Sequence, residues 1–419
     1  MQKRIPIALF LGILTSLFLF PVSVYFLPEA LNTKMILAVF GIIAFVYECA
    51  RKSSFSISQR ILASAIIAII FSVWCFYCIT VNGTDDTTYS SYWLSFATWL
   101  GAAYAVCWLI RECEGKIDLA SLTFYLTLVC SSQCILALII DHSLPFKQAV
   151  DAIFVQGQEF YHQINRMYGI GAALDTAGVR FSVVLVLMAH QMSSNGSVID
   201  NKGLTLFYFI SFALIVVVGS MIARTTWVGA ILGISYLAIS YLKINKGFIS
   251  SRQVSFWLIM GGITALTILV SVWLYNHNPD FRHNLRFGFE GFFNWAETGV
   301  FRTDSTDKLN RIMWVWPKDM RSWIIGTGLF ADWVYGTDIG YCRFVLYCGL
   351  IGLVIFSIFF IFNGLSVIHL FPGTKYLALV LIALTFIIWL KVSTDIFFIY
   401  ALLFSTASLQ EKLCASSTT

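Results

Sequence analysis

Charged residues are scarce in this chain. They make up 12% of its 419 residues, whereas a typical soluble domain has about a quarter. Hydrophobic residues account for 58%, and the mean hydropathy is +0.80. So few charged groups cannot cover the surface of a water-soluble fold, which excludes that class. Stretches of about ten residues with alternating polarity are also missing, which excludes a transmembrane barrel.

Long apolar runs are present instead. Each is about 17–22 residues long, enough to cross a hydrocarbon core about 30 Å thick as a helix. We predict an all-α protein, a polytopic membrane helix bundle of about twelve transmembrane helices that forms a single integral membrane domain over residues 1–419. The predicted spans are 5–26, 33–49, 61–81, 94–111, 119–140, 180–194, 204–222, 226–243, 254–275, 341–363, 375–391 and 394–410.

The cations of the short loops predict the orientation. The loop 82–92, assigned to the outside, carries Asp85 and Asp86 and no cation. The short loops assigned to the cytoplasm carry Arg51, Lys52, Arg60, Arg111, Lys116, Lys243, Lys246 and Arg252. This distribution obeys the positive-inside rule, and both termini are then predicted to be cytoplasmic.

Two predicted loops are much longer than the rest, 141–179 and 276–340, and both fall on the side opposite the cytoplasm. The second contains many aromatic residues interleaved with seven cations, which are Arg282, Arg286, Arg302, Lys308, Arg311, Lys318 and Arg321. A loop of this length and composition is expected to fold into short amphipathic helices at the membrane interface.

The ten cysteines indicate neither a disulfide framework nor a metal site. Most lie inside apolar runs, as Cys75, Cys78, Cys130 and Cys134 do, where a thiol usually packs as a small hydrophobic group. The chain also has no Asp-x-Asp cluster to hold a divalent cation. We therefore predict no metal and no cofactor.

Arg224 is the sharpest local feature, because it lies at the predicted outer junction of two apolar runs with almost no loop between them. An arginine near the membrane is costly to bury without an anionic partner, which makes it a functional candidate. Its planar guanidinium suits phosphate oxygens, and the hydroxyls of Thr225 and Thr226 are possible additional donors. The alternative is an interfacial arginine that reaches lipid headgroups beside the Trp227 anchor.

A second candidate segment is 310–328 in the second long loop. Arg311 lies in a pattern typical of an amphipathic helix, and Arg321 precedes a turn formed by Gly326-Thr327-Gly328. Either this helix lies at the interface without chemistry, or Arg311 points to the same anion as Arg224. The sequence spacing leaves both alternatives open.

Ionisable residues also flank the start of the span 341–363. Asp338 lies just before it and Arg343 about one turn inside it. Two roles remain open for them, a mutual ion pair and a catalytic function.

The first long loop contributes a third set of candidates. Glu159 and His162 are three residues apart and would share a helical face, as a general base or as part of a metal site. Two ligands alone are weak support for a metal, which needs three or four. Arg166 and Arg180 follow in the same region.

These motifs, in this order, resemble the bacterial O-antigen polymerase and ligase superfamily of lipid-linked glycosyltransferases. Its members have an arginine motif of the Ser-x-x-x-Arg-Thr/Ala kind at an outer helix junction, here 220–227. A long periplasmic loop follows, with an arginine some fifteen residues before a Gly-x-Gly turn, here 311–328, and a Gly-Leu-Ile-Gly span, here 349–352. The resemblance covers roughly residues 160–360. It implies a C-type glycosyltransferase-like bundle with two long periplasmic loops.

The resemblance also implies an activity. Both substrates would hang from undecaprenyl diphosphate, and the growing O-antigen or capsular glycan would pass to the incoming repeat unit with release of undecaprenyl diphosphate. Arg224 and Arg311 are then expected to hold the diphosphate. The residues expected to assist in substrate binding are Arg166, Arg180, Thr225, Arg321 and Arg343. For the general base, Asp338 is favoured, followed by Glu159 or His162.

The implied partners are membrane lipid, lipid-linked oligosaccharides, and the chain-length regulator and flippase of the same pathway, with no nucleic acid. The implied location is the bacterial inner membrane, with the active site facing the periplasm. A ligase that transfers glycan to lipid A-core is one alternative, but ligases have a histidine near the end of the long loop, where this chain has Thr337-Asp338-Ile339-Gly340-Tyr341. A transporter or flippase is the other, and the predicted spans carry few of the ionisable residues a carrier needs near the midplane.

Overall fold

The structure is a computed structural model that describes residues 4–28, 31–52, 57–164, 166–194, 196–244 and 251–416. Lys246, one of the cations that predict the orientation, lies outside these residues. The fold is 78% helix and 1% strand, which confirms the helical class.

In chain order the elements are α1 (Arg4–Leu19), β1 (Ser23–Val24), α2 (Thr33–Lys52), α3 (Gln59–Asn82), α4 (Tyr92–Glu114), α5 (Leu119–His142), α6 (Leu144–Ile153), β2 (Phe154–Val155), α7 (Gln158–Gln163), α8 (Leu174–Ser194), α9 (Gly196–Asp200), α10 (Lys202–Ile222), α11 (Thr226–Ile244), α12 (Ser251–His277), α13 (Pro279–Gly288), α14 (Glu290–Thr298), α15 (Asp304–Ile312), α16 (Met320–Ile325), α17 (Gly340–Leu370), α18 (Lys375–Ile388) and α19 (Phe397–Ser416), with a 3-10 turn at Ala331–Trp333.

Seven of these helices are long and apolar enough to cross a membrane, counted over the described residues. They are α2, α3, α4, α5, α10, α12 and α17. Shorter apolar segments lie in α1, α11, α18 and α19. Each of the twelve predicted spans overlaps a helix. The number of spans and their orientation stay predictions.

The chain folds as two compact units. The first unit comprises Met1–Thr33 and Leu119–Phe301, and the second comprises Lys34–Asp118 and Arg302–Thr419. In the first unit α8 packs against α5, α10 and α11, and in the second α17 packs against α3, α16, α18 and α19. The single domain predicted over 1–419 stays a prediction.

The first helix ends earlier than the predicted span 5–26. It stops at Leu19, shortly before Pro21, which has no backbone N–H and disfavours the α conformation of the residue before it. The chain then forms β1, which pairs antiparallel with β2. The apolar run therefore becomes a helix followed by a two-residue strand.

Helix α8 is the buried centre of the first unit. It begins at Leu174, six residues before the predicted span, with Asp175 in its first turn, where a carboxylate complements the helix dipole. Its residues are buried on all sides over most of its length. Gly229 of α11 lies against the backbone of Ser182, so close that a β-carbon at this position would clash. This glycine permits the tight packing of α8 on α11.

Both long predicted loops contain helices. The segment 141–179 includes α6 and α7, and the segment 276–340 includes α13 to α16. The stretch 310–328, predicted as one amphipathic helix before a turn, is divided between α15 and α16. Gly326 and Gly328, which form the predicted turn, both have a φ of 70°.

Helix α17 of the second unit is interrupted. Gly349 has a φ of 67° and a ψ of −176° inside it, a conformation open to glycine and strained for other residues. The N–H groups of Thr327 and Gly328 donate to the carbonyls of Leu346 and Tyr347 at 2.7 and 2.9 Å. The break therefore leaves carbonyls that bind the Gly-x-Gly turn.

Candidate active site

Several helix ends of the first unit meet. Asn284 of α13 donates a hydrogen bond to Asp141 at the end of α5, 2.8 Å away. The indole N–H of Trp227, at the start of α11, donates to the carbonyl of Gly288 at 3.0 Å. Thr225, just before α11, donates to Asp175 in the first turn of α8. The end of α5 and the start of α11 therefore lie beside α13, and the start of α8 lies beside the start of α11.

Arg224 lies in this region and is mostly buried, with 15% of its side chain exposed. Its guanidinium forms an ion pair with Glu290 in the first turn of α14. The same guanidinium lies over the ring of Phe287, 4.3 Å from the ring centroid, a contact worth about 0.5–2 kcal/mol. Arg224 is thus held by a carboxylate and a ring that come from more than sixty residues away.

Arg166 shares the Phe287 ring with Arg224. Its guanidinium carbon lies 3.5 Å from the ring centroid, and the side chain is half-buried. The guanidinium has no hydrogen bond or ion pair to any residue that the structure describes. Burial, and then the nearby charge of Arg224, lowers the pKa of Arg166 to about 10, against the opposing effect of Asp175 and Glu290. The site therefore holds the Arg166 guanidinium partly buried and close to a second cation, Arg224.

Thr225 and its neighbours build the junction that carries Arg224. The Thr225 hydroxyl donates to Asp175, and its backbone carbonyl accepts a hydrogen bond from Ser182 at 2.9 Å. Thr226 donates to the carbonyl of Gly219 at 3.0 Å. These bonds hold the tight turn between α10 and α11. The predicted role of Thr225 as a phosphate donor stays a prediction.

The other candidates of the first unit do not contact the Phe287 ring. Arg180 lies over the ring of Phe20, 5.5 Å from its centroid. Glu159 is exposed. The Nε2 atom of His162 lies 3.0 Å from the Tyr168 hydroxyl and 3.2 Å from Oδ2 of Asp151. Of the predicted base candidates in this unit, His162 is the one with a carboxylate partner.

The candidates of the second unit include Arg343 and Asp338, which do not pair with each other. Arg343 donates to the carbonyl of Phe330 at 2.7 Å and to the hydroxyl of Ser393 at 3.3 Å. Its guanidinium carbon lies 3.7 Å from the Phe330 ring centroid. Asp338 is exposed and accepts a hydrogen bond from the indole of Trp333 at 3.1 Å. Of the two roles left open for these residues, the mutual ion pair is therefore not formed.

Arg311 and Arg321 also belong to the second unit, and both are exposed. Arg321 donates to the carbonyl of Val81 at 3.2 Å. Arg311 makes no hydrogen bond or ion pair with the described part of the chain. A shared diphosphate site of Arg311 and Arg224, which belong to different units, stays a prediction.

Asp86 is a structural residue of the second unit that the sequence reasoning used only for topology. Its carboxylate accepts hydrogen bonds from the backbone N–H groups of Phe330 and Ala331 at 2.5 and 2.6 Å. Burial raises the pKa of Asp86, but these bonds and those from Thr88 outweigh it, so that the pKa is lowered. The pattern Asp-x-Thr, typical of a side-chain-stabilised turn, is the signal that points to this role.

Three residues of the first-unit site were missed by the sequence reasoning, namely Phe287, Glu290 and Asp151. Glu290 lies in the first turn of a helix, where acidic residues are common for structural reasons alone. Phe287 is one of many aromatic residues in its segment. No local pattern separates these three from their neighbours.

In comparisons with known proteins, no protein-family model, no curated protein and no solved structure matches this chain.

Proposed function

We propose that this protein is a metal-independent glycosyltransferase that polymerises oligosaccharide repeat units linked to undecaprenyl diphosphate. In this proposal it works at the periplasmic face of a bacterial inner membrane, as an O-antigen or capsule polymerase. The growing glycan passes to the incoming repeat unit, and undecaprenyl diphosphate is released. The order of motifs in residues 160–360 supports this class.

One observation carries the proposal, the placement of Arg166 and Arg224 on the single ring of Phe287. Two guanidinium groups this close repel each other, and the pairing costs free energy unless an anion lies between or beside them. Glu290 neutralises Arg224, whereas Arg166 has no such partner among the described residues. An anionic ligand with several oxygens, such as a diphosphate, would satisfy the donors of both.

The chemistry of the transfer explains why such a site is useful. The bond between the anomeric carbon and the phosphate oxygen breaks, and negative charge develops on the leaving diphosphate. Cations that are already oriented stabilise this charge without reorganising at the moment of reaction. Phe287 orients both guanidinium groups, and Glu290 holds Arg224 until the substrate binds.

A deletion strain tests the activity directly. Lipopolysaccharide from the strain, separated on a gel, is expected to show core carrying one repeat unit, with single repeat units accumulating on the lipid carrier. Bare core would instead indicate a ligase or a flippase and would overturn the polymerase assignment. Plasmid-borne wild-type protein should restore the ladder, which serves as the control.

A further inference from the structure

A small polar cleft lies beside the arginine pair in the first unit. It has a volume of about 170 Å³, and the polar side chains that line it are Asp141, Lys147, Tyr161, His162, Arg166 and Tyr168. Arg166 therefore borders this cleft and also lies over the Phe287 ring next to Arg224. A ligand in the cleft would be adjacent to whatever the arginines bind.

Two side chains of the cleft, His162 and Tyr168, form a connected network with Asp151. The Tyr168 hydroxyl lies 2.9 Å from both carboxylate oxygens of Asp151. Burial, and the hydrogen bond to Asp151, raise the pKa of Tyr168, so the phenol is neutral and donates its proton to the carboxylate. The Tyr168 oxygen can then only accept a hydrogen bond from His162.

This network determines which nitrogen of His162 carries the proton. Nε2 faces the Tyr168 oxygen at 3.0 Å and Asp151 Oδ2 at 3.2 Å, and both of these are acceptors. The neutral imidazole therefore has its hydrogen on Nε2 and its lone pair on Nδ1. Nδ1 has no partner among the described residues. An imidazole oriented by a carboxylate, with its second nitrogen free, is the arrangement that a general base requires.

The charges around the cleft suit a sugar next to a phosphate. Lys147 lies over the Tyr168 ring, 5.9 Å from its centroid. Lys147 and Arg166 contribute cations to the lining, whereas Asp141 contributes a carboxylate. This mixed lining offers both donors and acceptors to the hydroxyls of a neutral or weakly charged sugar.

We infer that this cleft binds the acceptor sugar and that His162 is the general base of the transfer, with Asp151 and Tyr168 as positioning residues. This inference rests on the proposed function. Nδ1 of His162 takes the proton of the attacking hydroxyl as its oxygen forms the new bond to the anomeric carbon. The bond from that carbon to the phosphate oxygen breaks, and undecaprenyl diphosphate leaves with the bonding electrons. Asp151 stabilises the imidazolium that forms.

The test uses the full chain in lipid nanodiscs with the lipid-linked repeat units extracted from the deletion strain. His162→Gln is expected to lower kcat by about 10²–10⁴-fold, the usual contribution of a general base, with unchanged binding of undecaprenyl diphosphate as the probe. The matched control is His277→Gln, the same exchange at an exposed histidine of this unit, which should behave as wild type. Imidazole in the buffer should restore part of the activity of His162→Ala but none of that of Arg224→Ala.

The positioning roles of Asp151 and Tyr168 are tested separately from the role of His162. Asp151→Asn is expected to lower kcat with little change in KM, because the carboxylate that stabilises the imidazolium is gone. Tyr168→Phe keeps Asp151 within reach of Nε2 of His162 and should lower kcat less than Asp151→Asn does. Thermal unfolding of each variant identifies those that fail to fold. Tyr168→Phe is chosen because it removes the hydroxyl and retains the packing of the ring.

The possible outcomes separate the two proposals. If the wild type polymerises and Arg224→Ala does not, while His162→Gln and Asp151→Asn keep full activity, the cleft assignment is overturned and the proposed function stands. If the wild type neither polymerises nor binds undecaprenyl diphosphate, the proposed function itself fails. Loss of kcat in His162→Gln together with rescue by imidazole supports the base assignment.

Discussion

The arginines of the two units are held in different ways. Arg343 in the second unit is bonded to a backbone carbonyl and a hydroxyl and lies on the Phe330 ring. Arg166 in the first unit lies on the Phe287 ring, but the described residues leave its five N–H donors without an acceptor. A side chain whose polar groups are satisfied within the protein stabilises the fold. One that is half-buried, and whose donors find no acceptor among the described residues, keeps those donors available to a ligand.

Substitution of Arg224 should have the largest effect on activity. Arg224→Ala is expected to lower the polymerisation rate about 10²–10³-fold, because it removes a preoriented donor from the developing charge. Arg224→Lys should restore little, since a lysine lacks the planar fork. Rates in nanodiscs provide the measurement. Arg302→Ala, which breaks an ion pair with Asp307, is the control. A fully active Arg224→Ala would contradict the assignment of ligand-binding arginines to the first unit and structural arginines to the second.

Substitution of Arg343 should affect stability more than chemistry. Arg343→Ala leaves the Phe330 carbonyl without its donor, at a cost of about 1–3 kcal/mol. The expected result is a lower Tm of the detergent-solubilised protein, with the activity of the folded fraction largely kept. If the Tm were unchanged and the activity lost, Arg343 would belong with the ligand-binding arginines.

The ring that orients the arginine pair should have an intermediate effect. Phe287→Leu keeps most of the apolar volume but removes a cation–π contact worth about 0.5–2 kcal/mol. We expect weaker binding of undecaprenyl diphosphate by up to about thirtyfold, the equivalent of 2 kcal/mol. The matched variant Phe330→Leu, beneath Arg343, should leave this binding unchanged. Equal effects of the two variants on binding would contradict the assignment.

The exposed Arg311 should have the smallest effect. Exposed charges contribute about 0–1 kcal/mol to an interaction in water, so Arg311→Ala is expected to lower the rate by a few-fold at most. The same polymerisation assay measures it, with added salt to show whether screening removes the difference. A loss as large as that of Arg224→Ala would mean that Arg311 holds the diphosphate directly.

The sequence predicted the helices well, because a run of apolar residues long enough to cross lipid is a local property. The span predicted at 61–81 is α3, Gln59–Asn82, in the structure. The early end of α1 was also readable from Pro21, although the apolar run continues beyond it. The break at Gly349 was not readable from the sequence, since Gly-Leu-Ile-Gly is equally typical of two closely packed helices.

The candidate site was predicted in part. Arg224 and Arg166 were both named, because arginines are rare in so apolar a chain. Their shared ring was not, since Phe287 is one of the 37 phenylalanines of the chain. Asp151, which orients His162, lies eleven residues before it and belongs to a different helix, so no spacing rule links them.

By itself, then, the sequence determined the helical class, the approximate bounds of the long helices and the few cations that call for a partner. These follow from composition and from runs of neighbouring residues. The tertiary structure alone decided which cations find that partner within the protein. Arg166, Arg224, Phe287 and Glu290 come from three separate segments, and whether a guanidinium meets a carboxylate, a carbonyl or only a ring depends on how those segments pack.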